Sequence, residues 1–597
     1  MTLPSTRTKS PLKLPRLLSP EFFRRQLANV DALPQLSILA IVAGLLTGLV
    51  ILAFRVSIDF VLAEWILQNG GESFESLPYI GRLLLPVAGA LLIGILLTRF
   101  TAADRRVGVV HVMERLSRHQ GHLPARNAII QFFGGLIALI SGQSGGREGP
   151  AVHLGAASSS MIGQALNLPN NSIRTLVACG TAAAIAGSFN TPIAGVIFAM
   201  EVVMMEYTMG SFIPVIIASV TATLLTHFFI GNEPAFIVAS VNLQSWLEIP
   251  FIVVGGVIIG CIAAAFITAV QMFARLSDWP FWLRALFAGA ITGLAGVTAP
   301  EVMGIGYDTV NSAMLGQLTL TTLLLVVLLK TLASAAAVGL GLPVGTIGPT
   351  FVIGAAVGGV LGFIGSTFTP IQEISVGFYV MLGMAAMMGA VLQAPLAALL
   401  AVMELTANPN LILPAMLIIV VATLVTGVAF KQKSVFISTL KTLGLQYPAD
   451  PVTLHLQRAG VTAIMNRALV RLSQQSSIAD VRQALAQKPR WIVIEKSAGR
   501  IRCVLSATDL LVYVNEEFPL EGEPEDETEE RMIDLMKIPG QRLDVANIDY
   551  RATLAEAQHA LKESEAICVR RVTAPMIASV LGVITQQDID NYRDADL

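Results

Sequence analysis

Between residues 35 and 430 the chain is a succession of apolar runs of unequal length, and that inequality restricts what it can fold into. The longer runs are Leu36–Phe54, Leu83–Leu97, Phe212–Leu225, Pro250–Phe273, Leu318–Val338, Val376–Val391 and Ile412–Phe430. Several approach or exceed the ~20 residues that carry a helix across a bilayer. Ala151–Ile162 and Thr191–Met200 are too short to cross unaided. Lipid satisfies no backbone polar group, so short segments broken by Gly and Pro must be buried in protein or line a cavity. The pattern predicts an all-α polytopic membrane domain built from broken helices, as in transporters and channels. Only 13% of residues are charged, and most of those lie outside this region.

Gly145-Gly146-Arg147-Glu148-Gly149-Pro150 places two charges and a glycine cluster inside the apolar region. A charge in lipid costs about 2.5–3.5 kcal/mol on insertion scales, so such a carboxylate faces a protein-lined path. The glycines let the backbone turn and expose its N–H groups. Pro150 suits a first helical turn, and Ala151–Ile162 reads as that helix. Its free N–H groups and positive dipole end form an anion site with a carboxylate beside it.

The membrane region repeats itself. Gly180-Thr181-Ala182-Ala183 through Pro192 to Met200-Glu201 aligns without gaps on Gly383-Met384-Ala385-Ala386 through Pro395 to Met403-Glu404. Gly146, Gly149-Pro150 and Gly155-Ala156-Ala157 match Gly345, Gly348-Pro349 and Gly354-Ala355-Ala356, at an offset that differs by four residues. Two collinear blocks predict a duplicated fold with halves near 35–230 and 250–430. Transporter repeats often have inverted topology and bind substrate at their interface. Two glycine-rich helix starts, one from each half, would then hold one dehydrated anion between them.

These residues resemble the CLC family of chloride channels and proton–chloride antiporters over about residues 35–440. Gly146-Arg147-Glu148-Gly149-Pro150 matches the family's gating-glutamate motif, and Ser188-Phe189-Asn190-Thr191-Pro192-Ile193-Ala194-Gly195 looks like the stretch that follows it. Gly345-Thr346-Ile347-Gly348-Pro349 is similar to the third filter segment, with Ile347 where a Phe is usual. The resemblance implies a homodimer with one chloride pore per subunit and Glu148 as the gate. It implies anion contacts at Gly146, Arg147, Gly149, Thr346, Ile347 and Gly348. A carboxylate competes with chloride for the same N–H donors, so protonation of Glu148 should open the path.

Three positions depart from the family. The first filter segment falls near Arg106-Val107-Gly108-Val109-Val110, where Val107 replaces the family's serine. Phe436 in Ser434-Val435-Phe436-Ile437 replaces the pore tyrosine. Two lost hydroxyl donors would weaken an anion site by roughly 1–3 kcal/mol each unless other donors substitute. Antiporters of the family usually carry an inner glutamate after the position of Glu201, and here that residue is Val202. Valine cannot relay a proton. Glu206, one turn on, is the remaining acid on the proton route and also reads as a solvated helix end. Glu201 and Glu404 occupy equivalent places in the two halves, which predicts a structural role for both. The expectation is a chloride channel gated by Glu148, with a proton-coupled chloride antiporter as the alternative and no enzymatic activity.

After Lys431 charged residues become frequent and two similar units appear, at 455–515 and 531–597. Each reads as helix, buried strand, strand, helix. Both resemble CBS units, which pair into one α/β module and often bind adenine nucleotides. Ser506 with Asp509, and Thr585 with Asp588, match the family's phosphate and ribose contacts. The acidic run within 516–530 reads as a solvated linker. Arg7, Lys9, Lys13, Arg16, Arg24 and Arg25 make 1–34 a basic segment, which the positive-inside rule puts in the cytoplasm. The first apolar run is too long and too late for a typical cleaved signal. Both termini are therefore expected in the cytoplasm, with the chain in the lipid of a bacterial inner membrane. Cys179, Cys261, Cys503 and Cys568 are scattered and read as small buried residues, not a metal set. No P-loop or nucleic-acid-binding pattern is present. A serine hydrolase is the rival reading, because Gly142-Gln143-Ser144-Gly145-Gly146 satisfies Gly-x-Ser-x-Gly with His153 nearby. That motif needs a strand before it and here follows an apolar helix, Ile129–Ile140.

Overall fold

A backbone surrounded by lipid has no partner for its N–H and C=O groups other than itself, and the apolar runs accordingly become helices. The structure, a computed structural model, describes residues 27, 32–67, 73–232, 236, 243, 245–368, 375–445, 451–496, 500–518, 531–574 and 577–595. Most of the basic N-terminal segment and residues 519–530 of the acidic run lie outside the described residues. The chain divides into two units, residues 36–166 with 173–447, and residues 1–35 with 167–172 and 448–597.

The first half of the membrane unit runs α1 (Leu33–Val61), α2 (Tyr79–Thr98), α3 (Gly108–Arg118), α4 (Ala125–Ile140), α5 (Glu148–Ala165), α6 (Asn170–Phe189), α7 (Pro192–Phe198) and α8 (Met209–Ile230). A wide π turn, Ala199–Met204, extends α7. The second half runs α9 (Ile249–Ala274), α10 (Phe281–Thr298), α11 (Tyr307–Met314), α12 (Leu320–Gly339), α13 (Ile347–Phe368), α14 (Val376–Leu392), α15 (Pro395–Thr406), α16 (Ile412–Leu424) and α17 (Val435–Thr442). Among the described residues nine helices are long and apolar enough to cross a membrane. Two of them are enclosed by the others: Asn170–Phe189 is 94% buried and Ile347–Ser366 83%, against 33–50% for the rest. This is an integral membrane protein whose central helices touch protein on nearly every side.

Glycine explains how α6 and α14 reach the centre. A methyl group on Gly155 of α5 would overlap the carbonyl oxygen of Gly180 on α6, and one on Gly180 would overlap that of Gly155. Gly354 of α13 and Gly383 of α14 stand in the same reciprocal relation. The two aligned sequence blocks thus make the same helix–helix contact twice. Small residues are what let membrane helices approach this closely. Cys261 lies exposed on α9, not buried as its size alone predicts, because that position faces outward.

The repeats are inverted. Glu404 near the end of α15 accepts the N–H groups of Ile193 (3.0 Å) and Ala194 (2.7 Å) at the start of α7. Glu201, at the end of the α7 segment, accepts those of Leu396 (3.3 Å) and Ala397 (2.7 Å) at the start of α15. Each helix closes the other's first turn, so the two run antiparallel. A carboxylate at a helix start satisfies orphan donors and the dipole together. Removing either side chain should cost about 0.5–2 kcal/mol, the usual worth of an N-terminal cap. Glu201→Ala and Glu404→Ala are therefore expected to lower the thermal midpoint of the purified protein by similar amounts. Unequal losses would break the equivalence drawn here.

The second unit holds α18 (Pro451–Leu456), β1 (Leu469–Ser473), β2 (Gln475–Ser477), α19 (Ile478–Ala486), β3 (Trp491–Lys496), β4 (Arg500–Ser506) and α20 (Ala507–Glu517). It continues with β5 (Met532–Asp534), β6 (Arg542–Leu543), β7 (Val545–Asp549), α21 (Leu554–Ala560), β8 (Ala566–Ala574), β9 (Ile577–Thr585) and α22 (Gln586–Ala595). β1 pairs parallel with β3, and β3 antiparallel with β4. β7, β8 and β9 repeat that order and those directions. Parallel neighbours require a crossover, and α19 and α21 provide it. The doubled β-α-β-β-α pattern is compatible with a CBS pair.

Candidate functional site

The two glycine-rich helix starts meet. Gly146 N–H donates to Gly345 O (2.9 Å) and Gly345 N–H donates to Gly146 O (2.7 Å). This two-bond bridge joins the halves and brings the starts of α5 and α13 together, with their unbonded N–H groups and positive dipole ends. Glu148 is fully buried. Its carboxylate lies over three glycines: a methyl on Gly345 would come within 2.6 Å of Oε2, one on Gly348 within 2.8 Å of Oε1, and one on Gly146 would overlap the carboxylate. Any side chain at those three positions would take the space the acid occupies. Arg147 points elsewhere. Its Nη2 donates to Ser188 O (2.9 Å), and its guanidinium stacks over Phe189 at 5.0 Å and Tyr307 at 5.3 Å.

A cavity of about 320 Å³ adjoins this point and is lined by Val107, Gly149, Thr346, Ile347 and Phe436, among others. Residues at the starts of α3, α13 and α17 thus share one cavity, while Gly146, Arg147, Glu148 and Gly348 lie off its wall. Arg105, Arg106 and Arg284 also line it, against one acid, Glu114, which is paired with Arg106. That excess of positive charge raises the local concentration of anions. Thr346 Oγ1 is buried without a hydrogen-bond partner among the described residues, and so offers one hydroxyl where Val107 and Phe436 offer none.

One participant escapes sequence reading. Gln131 of α4 accepts Gly108 N–H on Oε1 (2.8 Å) and donates from Nε2 to Pro343 O (3.1 Å). It ties the α3 start in one half to the loop before α13 in the other, and it occupies a donor at the α3 start. Its signal was a fully buried amide in an otherwise apolar stretch.

The other candidate residues are placed as follows. Val202 is buried in the π turn. Glu206 follows the left-handed turn at Met205 that ends this segment, and its N–H donates to Met200 O (3.1 Å). Ser144 and His153 do not meet: the Ser144 hydroxyl bonds that of Ser334 (2.9 Å), and His153 bonds His111 (2.8 Å). Among the described residues the Ser144 hydroxyl meets a serine hydroxyl, not the imidazole that would activate it as a nucleophile. In the tail, Ser506 Oγ accepts Thr508 N–H (3.3 Å), and Thr585 donates from N and Oγ1 to Asp588 Oδ2, both at 2.8 Å. These contacts start α20 and α22.

Residues 89–427 match the family described as Voltage gated chloride channel. The putative chloride channel protein ClcB-like of Ralstonia nicotianae is 31% identical over 366 residues, covering 59% of this chain and 85% of the relative. The H(+)/Cl(-) exchange transporter ClcA of Yersinia pseudotuberculosis serotype IB is 27% identical over 417 residues, covering 67% of this chain and 86% of the relative. A slow cyanobacterial Cl-/H+ antiporter of known structure superposes with a TM-score of 0.61 at 23% identity, over 69% of this chain and 99% of that one. A eukaryotic CLC transporter superposes with a TM-score of 0.57 at 18% identity, over 93% of this chain and 97% of that one.

Proposed function

This chain belongs to the voltage gated chloride channel family, the CLC family, and from that premise we propose that it exchanges chloride for protons across the membrane, with Glu148 as the shared gate. The observation that carries this reading is the fully buried Glu148 carboxylate, seated on the glycines of both helix starts. Helix-start N–H groups suit a carboxylate and a chloride alike. One anion leaves as the other enters, and the displaced acid is free to take up a proton. Chloride passage and proton transfer then meet at one side chain, which is the condition for coupling. The exchange transporters and antiporters among the similar proteins support this choice over the plain channel that Val202 favours.

The channel remains the second reading, and Val202 is the observation that favours it: a buried valine offers no proton a place to wait. Purified protein in liposomes separates the two. A chloride gradient is imposed while external pH is followed. Exchange predicts proton movement against its own gradient in fixed proportion to chloride. Chloride flux with no proton movement would leave the channel standing.

A further inference from the structure

Behind the gate two buried imidazoles touch. His111 Nδ1 and His153 Nε2 are 2.8 Å apart, and the ring centroids 5.1 Å. His153 is fully buried on α5, five residues after Glu148. His111, on α3, lines the cavity described above. His153 Nδ1 is buried and has no hydrogen-bond partner among the described residues. Buried polar atoms are normally paired, and an apolar pair would fill the same volume without the cost of desolvation. Imidazole adds the ability to accept a proton on one nitrogen while releasing one from the other.

The position of the pair fits that ability. α3 packs against α5 and also against Ala199–Met204, the segment in which Val202 stands where antiporters of the family usually carry an acid. The imidazoles therefore join a helix beside the apolar position to the helix that Glu148 begins.

We propose that His111 and His153 carry protons between the cavity and the Glu148 end of α5, supplying the titratable step that Val202 lacks. This rests on the exchange reading above. Water in the cavity protonates His111 on Nε2. The imidazolium passes its Nδ1 proton to His153 Nε2, and His153 releases the proton on its Nδ1 to a water that enters beside it. Each ring ends neutral, in its other tautomer, one proton having crossed the pair. Five residues of helix rise about 7.5 Å, so the proton needs an intervening water to reach Glu148, and the cavity that His111 lines extends to Gly149, the residue next to the gate.

Charges around the pair are few. Arg106, Arg115 and His119 act on His111, and Arg106 is paired with Glu114. Glu148 lies five residues before His153 on the same helix. On the packed elements, Glu201 is held by the α15 start, Arg174 of α6 bonds Leu116 O, and Arg126 and Lys441 lie at the ends of α4 and α17.

The test compares wild type, His111→Gln and His153→Gln as full-length protein in liposomes, measuring chloride and proton flux together. Glutamine keeps a polar group but cannot take up a proton. Proton flux is expected to fall at least about tenfold in both variants, in line with the loss of a positioned proton-transfer group. Chloride should continue to move, so the ratio of chloride to protons rises. If wild type moves no protons uphill, the exchange reading fails. If wild type couples and both variants couple as well as it does, the imidazole route is wrong and exchange stands. Loss of both fluxes in both variants would make the pair a structural element and overturn its proton role.

Discussion

Glu148→Gln is expected to abolish proton movement and to flatten the pH dependence of chloride flux. The amide has the shape of the protonated acid and stays neutral at every pH. It can neither compete as an anion for the α5 and α13 N–H groups nor carry a proton away. In wild type, lowering the pH raises the fraction of protonated Glu148, empties the donors and increases chloride flux. In the variant that increase should vanish. Proton flux should drop by roughly 10²-fold or more, the usual consequence of deleting a group that transfers the proton itself. Glu148→Ala goes further: it empties the space over Gly146, Gly345 and Gly348 and should leave a path with nothing to displace. Chloride flux that keeps its pH dependence in both variants would remove Glu148 from the gate.

What could be read beforehand follows from which physics leaves a mark on a sequence. Gly146-Arg147-Glu148-Gly149-Pro150 was legible because a charge among apolar residues has few explanations. The duplication was legible because small residues must recur wherever helices touch backbone to backbone, as Gly155 and Gly180 do, and Gly354 and Gly383 after them. The pairing of Glu201 with Glu404 was half legible: equivalent positions announced a structural task, but not that each acid closes the other repeat's helix. Helix α6 was not apparent as a span. Its hydropathy is only 1.3, because a helix enclosed by protein needs alanine and glycine for close packing more than it needs leucine for lipid. Gln131 and His111 leave no mark in the sequence for another reason. Their partners, Pro343 and His153, lie far along the chain, and no local spacing reveals a contact of that kind.

Gly345→Ala should cost both stability and transport, and it tests fold and site together. The added methyl would meet Gly149 N at 2.5 Å, Glu148 Oε2 at 2.6 Å and Gly146 O at 3.0 Å. Two of these atoms are backbone, so moving the Glu148 side chain alone cannot relieve the contact. Relief requires the α5 and α13 starts to separate, which stretches the reciprocal bonds between Gly146 and Gly345. Overpacking of this kind costs about 1–3 kcal/mol, and each weakened bond adds roughly 0.5–1.5 kcal/mol. Gly108→Ala is the control. Gly108 has φ +77°, and an added methyl there would meet nothing within 4 Å. Its penalty is backbone strain alone, about 1–2 kcal/mol. The thermal midpoint of purified protein should therefore fall further for Gly345→Ala than for Gly108→Ala. Gly345→Ala should also lose gated chloride flux in liposomes, because it moves the two helix starts apart. A Gly345→Ala protein with an unchanged midpoint and intact pH-gated flux would mean that the two halves do not need to touch there. The carboxylate would then be held by something other than the paired helix starts.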